Sequence, residues 1–123
     1  MYITETLDIV SEYRCFVSRI DLVGIQWYAG DFTVMLDVKM IEEIKSCIDR
    51  YLMSPIAYTL DFGILRDGSL VLIEINDMWA IGSYGLSAKL YVDLTMKRFN
   101  ELYRVSMLIK MMEDKTNADK KLE

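Results

Sequence analysis

The dipeptide Asp67-Gly68 lies between two apolar runs and restricts the fold of this chain more than any other feature. A dipeptide of this kind between β-forming segments is typical of a tight hairpin turn. We therefore predict one strand over 56–65 and its antiparallel partner over 70–75. Counting outward from the turn sets Asp61 opposite Glu74.

This pairing also sorts the side chains of the hairpin, because successive residues of a strand point to opposite faces. Asp61 is predicted on the face opposite the aromatic residues Tyr58 and Phe62. The apolar content of the second strand predicts burial on both faces until its end. Its alternation predicts a common face for four residues, which are Leu70, Leu72, Glu74 and Asn76.

A second hairpin precedes this one in the sequence. β-Forming residues dominate two runs, at 13–19 and 22–28, and the short junction between them suits a tight turn. The patterning before these runs is mixed. We interpret residues 1–12 as holding a short helical turn that is capped by Thr6 or Asp8.

Two helices are predicted from apolar residues that recur at the helical period. The first lies near 38–53, with Asp37 as its N-cap and Pro55 ending it. The second is predicted over 86–113, and a break near Arg104 is the alternative.

The predicted fold class is α+β, in which a mainly antiparallel sheet of two hairpins is flanked by a mid-chain helix and a long C-terminal helix. We assign residues 1–113 to a single domain. Residues 114–123 are predicted to form a polar, frayed tail.

Composition narrows the chemistry that is open to such a fold. The absence of histidine excludes histidine-based catalytic triads and metal sites with histidine ligands. Any bound metal must therefore be a hard ion with oxygen ligands. A net charge of −5 gives no general attraction to nucleic acid or anionic lipid. No apolar run is long enough to span a membrane, and we expect a cytoplasmic protein. Cys15 and Cys47 are expected to be free buried thiols, with a disulfide as the less favoured alternative.

Asp61, Glu74 and Asn76 are the candidate metal-binding residues. The predicted hairpin brings them together at the end of an apolar strand, where an unpaired carboxylate is costly. Their hard oxygens suit Mg²⁺. The alternative is structural, because Asp and Asn near strand ends often only form turns. Spacing alone leaves both interpretations open.

The ordered series of motifs around these residues resembles the closing strands of ATP-grasp enzymes. The segment LDFGILRDGSLVLIEIND, from Leu60 to Asp77, carries a strand Asp followed by an acid-x-Asn motif. With the preceding EYRCFV hairpin strand, the series looks like the R-two-K clade, named for one arginine and two lysines. Several later residues extend the resemblance, namely Trp79, Gly82, Tyr84-Gly85-Leu86, Tyr91 and Arg98-Phe99.

The resemblance implies a site and a reaction. Asp61, Glu74 and Asn76 would bind magnesium ions that bridge the phosphates of ATP. Arg14 would be the catalytic and nucleotide-binding arginine, in contact with the γ-phosphate or with the acyl phosphate formed from it. An arginine suits this role because its planar fork matches phosphate oxygens. The implied cofactors are thus ATP and Mg²⁺, and the implied reaction is ATP-dependent ligation of a carboxylate to an amine.

The sequence departs from the family pattern before Arg14. The two phosphate-gripping lysines of the clade have no counterpart there, because the first lysine is Lys39. The resemblance therefore covers only the C-terminal half of an ATP-grasp domain. It implies a ligase module that needs a partner chain or an N-terminal half. The alternative is a non-catalytic interaction or regulatory module on the same scaffold.

Further residues have two interpretations each. Trp27 and Tyr28 are candidates for stacking on a base, although core packing is favoured for Trp27. Tyr84 and Trp79 either line a substrate pocket or anchor their loop. Arg98 either reaches the metal-binding carboxylates or is an exposed helix charge. A C-terminal apolar patch predicts a homo-oligomer or partner surface, unless it packs on its own chain; its residues are Met107, Leu108, Met111 and Met112.

Overall fold

A four-stranded antiparallel sheet with one helix on each face forms the protein, in a computed structural model that describes residues 8–78 and 81–121. The elements in chain order are β1 (Ile9–Ser18), β2 (Asp21–Gly30), α1 (Val38–Arg50), β3 (Ala57–Leu65), β4 (Leu70–Asp77) and α2 (Ala88–Lys121). The strands are ordered β2-β1-β3-β4, so the two hairpins join through β1 and β3. The predicted α+β fold class is confirmed.

The hairpin of β3 and β4 has the predicted register, with Asp61 paired to Glu74 across the strands. A β-bulge between Asp61 and Phe62 shifts the pairing closer to the turn, so that Phe62 lies opposite Leu72. The predicted common face is therefore wrong for Leu70 and Leu72, whereas Glu74 and Asn76 share the face of Asp61. An extra residue at a bulge reverses the alternation of side chains along the strand. Leu72 therefore lines a hollow on the α1 side with Phe62 and Cys47. Glu74 instead lies on the same face as its cross-strand partner, Asp61.

Strand β4 is the edge of the sheet, and this position overturns the predicted burial on both faces. Leu72 is 39% exposed and Ile75 is 47% exposed. The apolar composition that predicted a central strand thus belongs to an edge strand with open backbone groups.

The first hairpin is longer than predicted, because β1 begins at Ile9 and pairs with both β2 and β3. The helical turn predicted over 1–12 is wrong for the residues described. Asp8 directly precedes β1, and the pairing of β1 with β2 and β3 outweighs the weak local helical signal. Thr6 lies outside the described residues. Core packing for Trp27 is also wrong, since this residue is 40% exposed and its ring packs edge-on against Phe32.

Helix α1 begins as predicted. The Asp37 side chain accepts a hydrogen bond from the backbone N–H of Met40 at 2.8 Å, which makes it the N-cap. The helix ends at Arg50, before the predicted position and well before Pro55. The chain leaves the helix at Tyr51, whose ring packs edge-on against Tyr58 of β3.

The two faces of the sheet carry separate cores. α1 covers one face through Ile44 and Ile48, which pack with a set from the strands: Cys15, Val17, Tyr58, Leu60 and Phe62. The other face packs against α2 and the segment before it, through Phe16, Ala57, Met78, Leu86 and Leu94. Polar residues of the second face, close to this smaller core, form the candidate site.

Helix α2 runs without a break for 34 residues, so neither the predicted end at 113 nor a break near Arg104 is observed. At 1.5 Å per residue the helix is about 51 Å long. The side chains beyond Glu101 are exposed up to Lys120, which shows that the second half of the helix extends past the sheet. Within the described ranges, no helix is both long and apolar enough to cross a bilayer.

Candidate functional site

A buried ion pair between Arg14 and Asp61 is the centre of the polar face. The two residues are cross-strand partners on β1 and β3. The guanidinium donates from Nε to Oδ1 at 2.9 Å and from Nη2 to Oδ2 at 2.8 Å. The Arg14 side chain is 9% exposed and the Asp61 side chain is 1% exposed. A bidentate pair with this burial fixes both side chains and keeps the guanidinium charged.

Two neighbouring tyrosine rings contact the guanidinium of Arg14. Its central carbon lies 5.4 Å from the ring centre of Tyr28 on β2 and 4.8 Å from that of Tyr84 in the loop before α2. Aromatic faces attract a cation, so this contact offsets part of the cost of burying it. The hydrogen bonds to Asp61, opposed by burial, raise the pKa of Arg14.

Asn76 completes the contacts of Asp61. Its side-chain amide donates to Oδ2 of Asp61 at 3.1 Å, so this carboxylate accepts three hydrogen bonds. The structure therefore brings together three of the candidate site residues, Arg14, Asp61 and Asn76. Glu74 is paired with Asp61 by register, but its own side chain is exposed at the rim.

Acidic side chains gather around Tyr28. Burial raises the pKa of its phenol, and the charges of Asp61, Glu12 and Glu74 raise it further. Tyr28 is therefore a neutral hydroxyl at physiological pH. Glu12 was not singled out from the sequence, although its spacing of two from Arg14 places it on the same face of β1.

The loop before α2 holds Tyr84 over the site. Arg14 donates from Nη1 to the carbonyl of Gly82 at 3.3 Å, and the hydroxyl of Tyr91 donates to the carbonyl of Ile81. Tyr84 adopts a left-handed backbone with φ of 46°, and Gly85 follows with φ of 92°. A side chain at Gly85 would be strained, so the glycine allows the turn that aims Tyr84 at Arg14. Trp79 lies outside the described residues.

The fit of these residues to a metal ion is partial. Mg²⁺ prefers oxygen ligands. Beside the Arg14–Asp61 ion pair, Glu74 has a carboxylate and Asn76 has an amide oxygen that could serve as such ligands. Asp61 differs, because Arg14 and Asn76 occupy both of its oxygens. No group of three or more Asp, Glu or Cys residues that could hold a metal occurs within 8–78 and 81–121. A metal ion at Asp61 would therefore compete with Arg14 and Asn76 for the oxygens of this carboxylate.

A second ion-pair group lies where β4 meets α2. Arg98 donates from Nε and from Nη2 to the carboxylate of Asp77, at 2.8 Å each, and also contacts Glu101. Both oxygens of Glu101 accept from the backbone N–H of Ile56 at 3.1 Å. Arg98 therefore fixes the end of β4 to α2. Neither predicted alternative describes it, because it contacts Asp77 and its side chain is only 14% exposed.

The cysteines are both free, as predicted, with Cys15 buried and Cys47 partly buried. Burial raises the pKa of the Cys15 thiol to about 12, so it is protonated and unreactive at neutral pH. Cys15 lies on the α1 face of β1, away from Arg14, and takes no part in the polar site.

Comparison with known proteins gives one family. A family model described as an ATP-grasp domain of the R-two-K clade, family 2, matches residues 1–94. No curated protein matches the chain. The family match covers more than half of the sequence and includes Arg14, Asp61, Glu74 and Asn76. The chain therefore belongs to family 2 of the R-two-K clade of ATP-grasp domains.

Proposed function

We propose that this ATP-grasp protein of the R-two-K clade is the nucleotide- and magnesium-binding part of an ATP-dependent carboxylate–amine ligase. The observation that carries the proposal is the buried Arg14 guanidinium, which contacts two neighbouring tyrosine rings and is aligned by Asp61. A charge that is fixed this way suits the binding of phosphate oxygens.

Each residue has a separate part in this proposal. Nη1 of Arg14 makes the longest of the guanidinium contacts, to the carbonyl of Gly82, and it is the donor that a phosphate oxygen would take. Asp61 keeps the other two donors in place, which makes it a positioning residue. Glu74 and Asn76, with Asp61 after a shift of Arg14, would hold Mg²⁺, which neutralises phosphate charge when bound.

The proposed ligase needs groups from outside the polar face. Lys39 is the first lysine of the sequence and lies on α1, on the other side of the sheet from Arg14. We propose that a partner chain or an N-terminal half supplies the two lysines of the clade. We propose a cytoplasmic location as well, because free thiols such as that of Cys15 persist in reducing compartments.

Titration calorimetry with a non-hydrolysable ATP analogue and Mg²⁺ tests nucleotide binding. We expect binding that is lost in Asn76→Ala and weakened in Glu74→Ala. The matched control is Glu42→Ala, which removes an exposed carboxylate on the opposite face of the sheet. Absence of binding at millimolar nucleotide would refute autonomous binding by this chain. Equal weakening by the Glu42 variant would show that net charge, and not the site, controls affinity.

The alternative function is a non-catalytic interaction or regulatory module. The observation that favours it is the set of three hydrogen bonds that Asp61 accepts from Arg14 and Asn76, which gives the pair a structural role without any ligand. Under this alternative, nucleotide causes no heat of binding, with or without a partner that supplies the lysines.

We also propose that the chain forms an antiparallel homodimer along the outer face of α2. That face carries a continuous exposed apolar stripe, formed by Val92, Met96, Tyr103, Met107 and Met111. An antiparallel pairing centred close to position 101 sets Val92 opposite Met111 and Met96 opposite Met107. It also opposes Lys89 with Asp114, whereas a parallel pairing would oppose like charges. An exposed helix with this much apolar surface is typical of one that is covered in an assembly.

A further inference from the structure

A cleft between the β1–β2 turn and α2 is separate from the polar face already described. Its volume is about 360 Å³, and three cations line it, which are Arg19 from the turn and Lys97 and Arg104 from α2. Asn100 adds an amide to the same wall. Arg14 lies four residues from Ser18 along β1, roughly 13 Å from the turn. The cleft is therefore a second polar region at the far end of the sheet.

The charges of the cleft are unevenly compensated. Lys97 contacts the hydroxyl of Ser18 and the carboxylate of Asp93, both at 3.1 Å. Glu101 also lines the cleft, but its carboxylate already accepts from Ile56 and Arg98.

The two arginines of the cleft, in contrast to Lys97 and Glu101, carry uncompensated charges. Within residues 8–78 and 81–121, the guanidiniums of Arg19 and Arg104 have no hydrogen-bond or ion-pair partner. The cleft is therefore locally positive on a chain whose net charge is −5.

The backbone of Arg19 gives independent support. Arg19 has φ of 60°, in the left-handed region that glycine tolerates and other residues adopt at a cost. Its N–H is fixed by a 2.7 Å hydrogen bond to the carbonyl of Ile56. A glycine would fit this turn without strain, so an arginine at this position points to a role of its side chain other than forming the turn.

We propose that this cleft binds a small ligand through a phosphoryl group. Two free guanidinium forks and an ammonium match the several oxygens of a phosphate, and Asn100 can donate to another. The inference is independent of the nucleotide site around Arg14, because it uses no residue of that site. It assigns the protein a second anion site, beside the β1–β2 turn at one end of the sheet.

An amide chemical-shift titration of the ¹⁵N-labelled full chain with inorganic phosphate tests the proposal at constant ionic strength. We expect saturable shifts at Arg19, Asn100 and Arg104, and weaker shifts with acetate. Arg104→Gln is expected to weaken phosphate binding about tenfold, the effect of losing one charge-assisted contact. Lys110→Gln is the matched control, since it removes the same charge farther along α2 and outside the cleft, and it should bind phosphate like the unmodified chain.

Arg19→Gly separates a ligand role from a structural one. We expect it to lose phosphate binding about tenfold and, at the same time, to raise the melting temperature by relieving the left-handed backbone. Loss of binding in Asn76→Ala would contradict the independence of the two sites. Unsaturable shifts, unchanged affinity in both arginine variants, or equal loss in Lys110→Gln would each overturn the proposal.

Discussion

Removing the negative charge of Asp61 should destabilise the protein strongly. Asp61→Asn keeps the size of the side chain but leaves the guanidinium of Arg14 without its counter-charge. Arg14 cannot lose its proton to escape this, because arginine stays charged in proteins. The Asp61 side chain is only 1% exposed, so water cannot replace the lost interaction at that end of the pair.

The size of the effect follows from the contacts that remain. Breaking a buried pair from one side costs about 3–5 kcal/mol in free energy of unfolding. Arg14 keeps the Gly82 carbonyl and both tyrosine rings, which places the expected loss at the lower end, at about 3 kcal/mol. For a domain of this size such a loss lowers the melting temperature by roughly 10 °C.

Urea unfolding followed by far-ultraviolet circular dichroism measures the change. The double variant Arg14→Met/Asp61→Asn should be less destabilised than the sum of its single variants, because removing both charges leaves none unpaired. The control is Asp8→Asn in the exposed Arg66–Asp8 pair, whose side chains are 73% and 61% exposed and which should show no measurable change. A loss in Asp61→Asn no larger than that in Asp8→Asn would refute the reasoning, as would simple additivity in the double variant.

Three further predictions follow from the fold. Because burial raises the pKa of Cys15 from 9.0 to about 12, the contribution of this thiol to stability should be constant below pH 9 and fall as the pH rises toward 12. Iodoacetamide at pH 8 should label Cys47 much faster than Cys15, and equal labelling would contradict the burial. Met107→Glu should convert the proposed dimer to a monomer in sedimentation velocity, whereas Met53→Glu, which is exposed but off α2, should not; a monomeric parent chain would refute the dimer. Asp37→Ala should cost about 1 kcal/mol in urea unfolding by removing the N-cap of α1, and an unchanged midpoint would show that the cap is dispensable.

The local features of the fold were predictable, because short-range physics determines them. The Asp67-Gly68 turn fixes which residues of its hairpin meet, so the pairing of Asp61 with Glu74 followed from the sequence. The bulge beyond Asp61 did not, since no turn residue signals it. It arises where β4 accommodates an extra residue against β3, and it changed the face assigned to Leu72.

Long-range features were less accessible. The pairing of Arg14 with Asp61 joins residues 47 positions apart, and it depends on β1 lying next to β3. Alternation alone could not choose that neighbour. Strand β4 looked central because it is apolar, whereas its edge position depends on the order of all four strands. Residues 114–121 of the segment predicted as a frayed tail are helical instead, in line with good helix formers such as Lys115 and Lys120.

The ring pair over Arg14 also makes the site observable without a label. Tyr28 and Tyr84 lie 5.2 Å apart between ring centres and are inclined by 37°. Two close, tilted chromophores in a rigid setting produce a near-ultraviolet circular dichroism band that depends on their geometry. A ligand that replaced the Gly82 carbonyl at Nη1 would move the loop bearing Tyr84 and change that band. Occupancy of the nucleotide site could then be read optically from the protein itself.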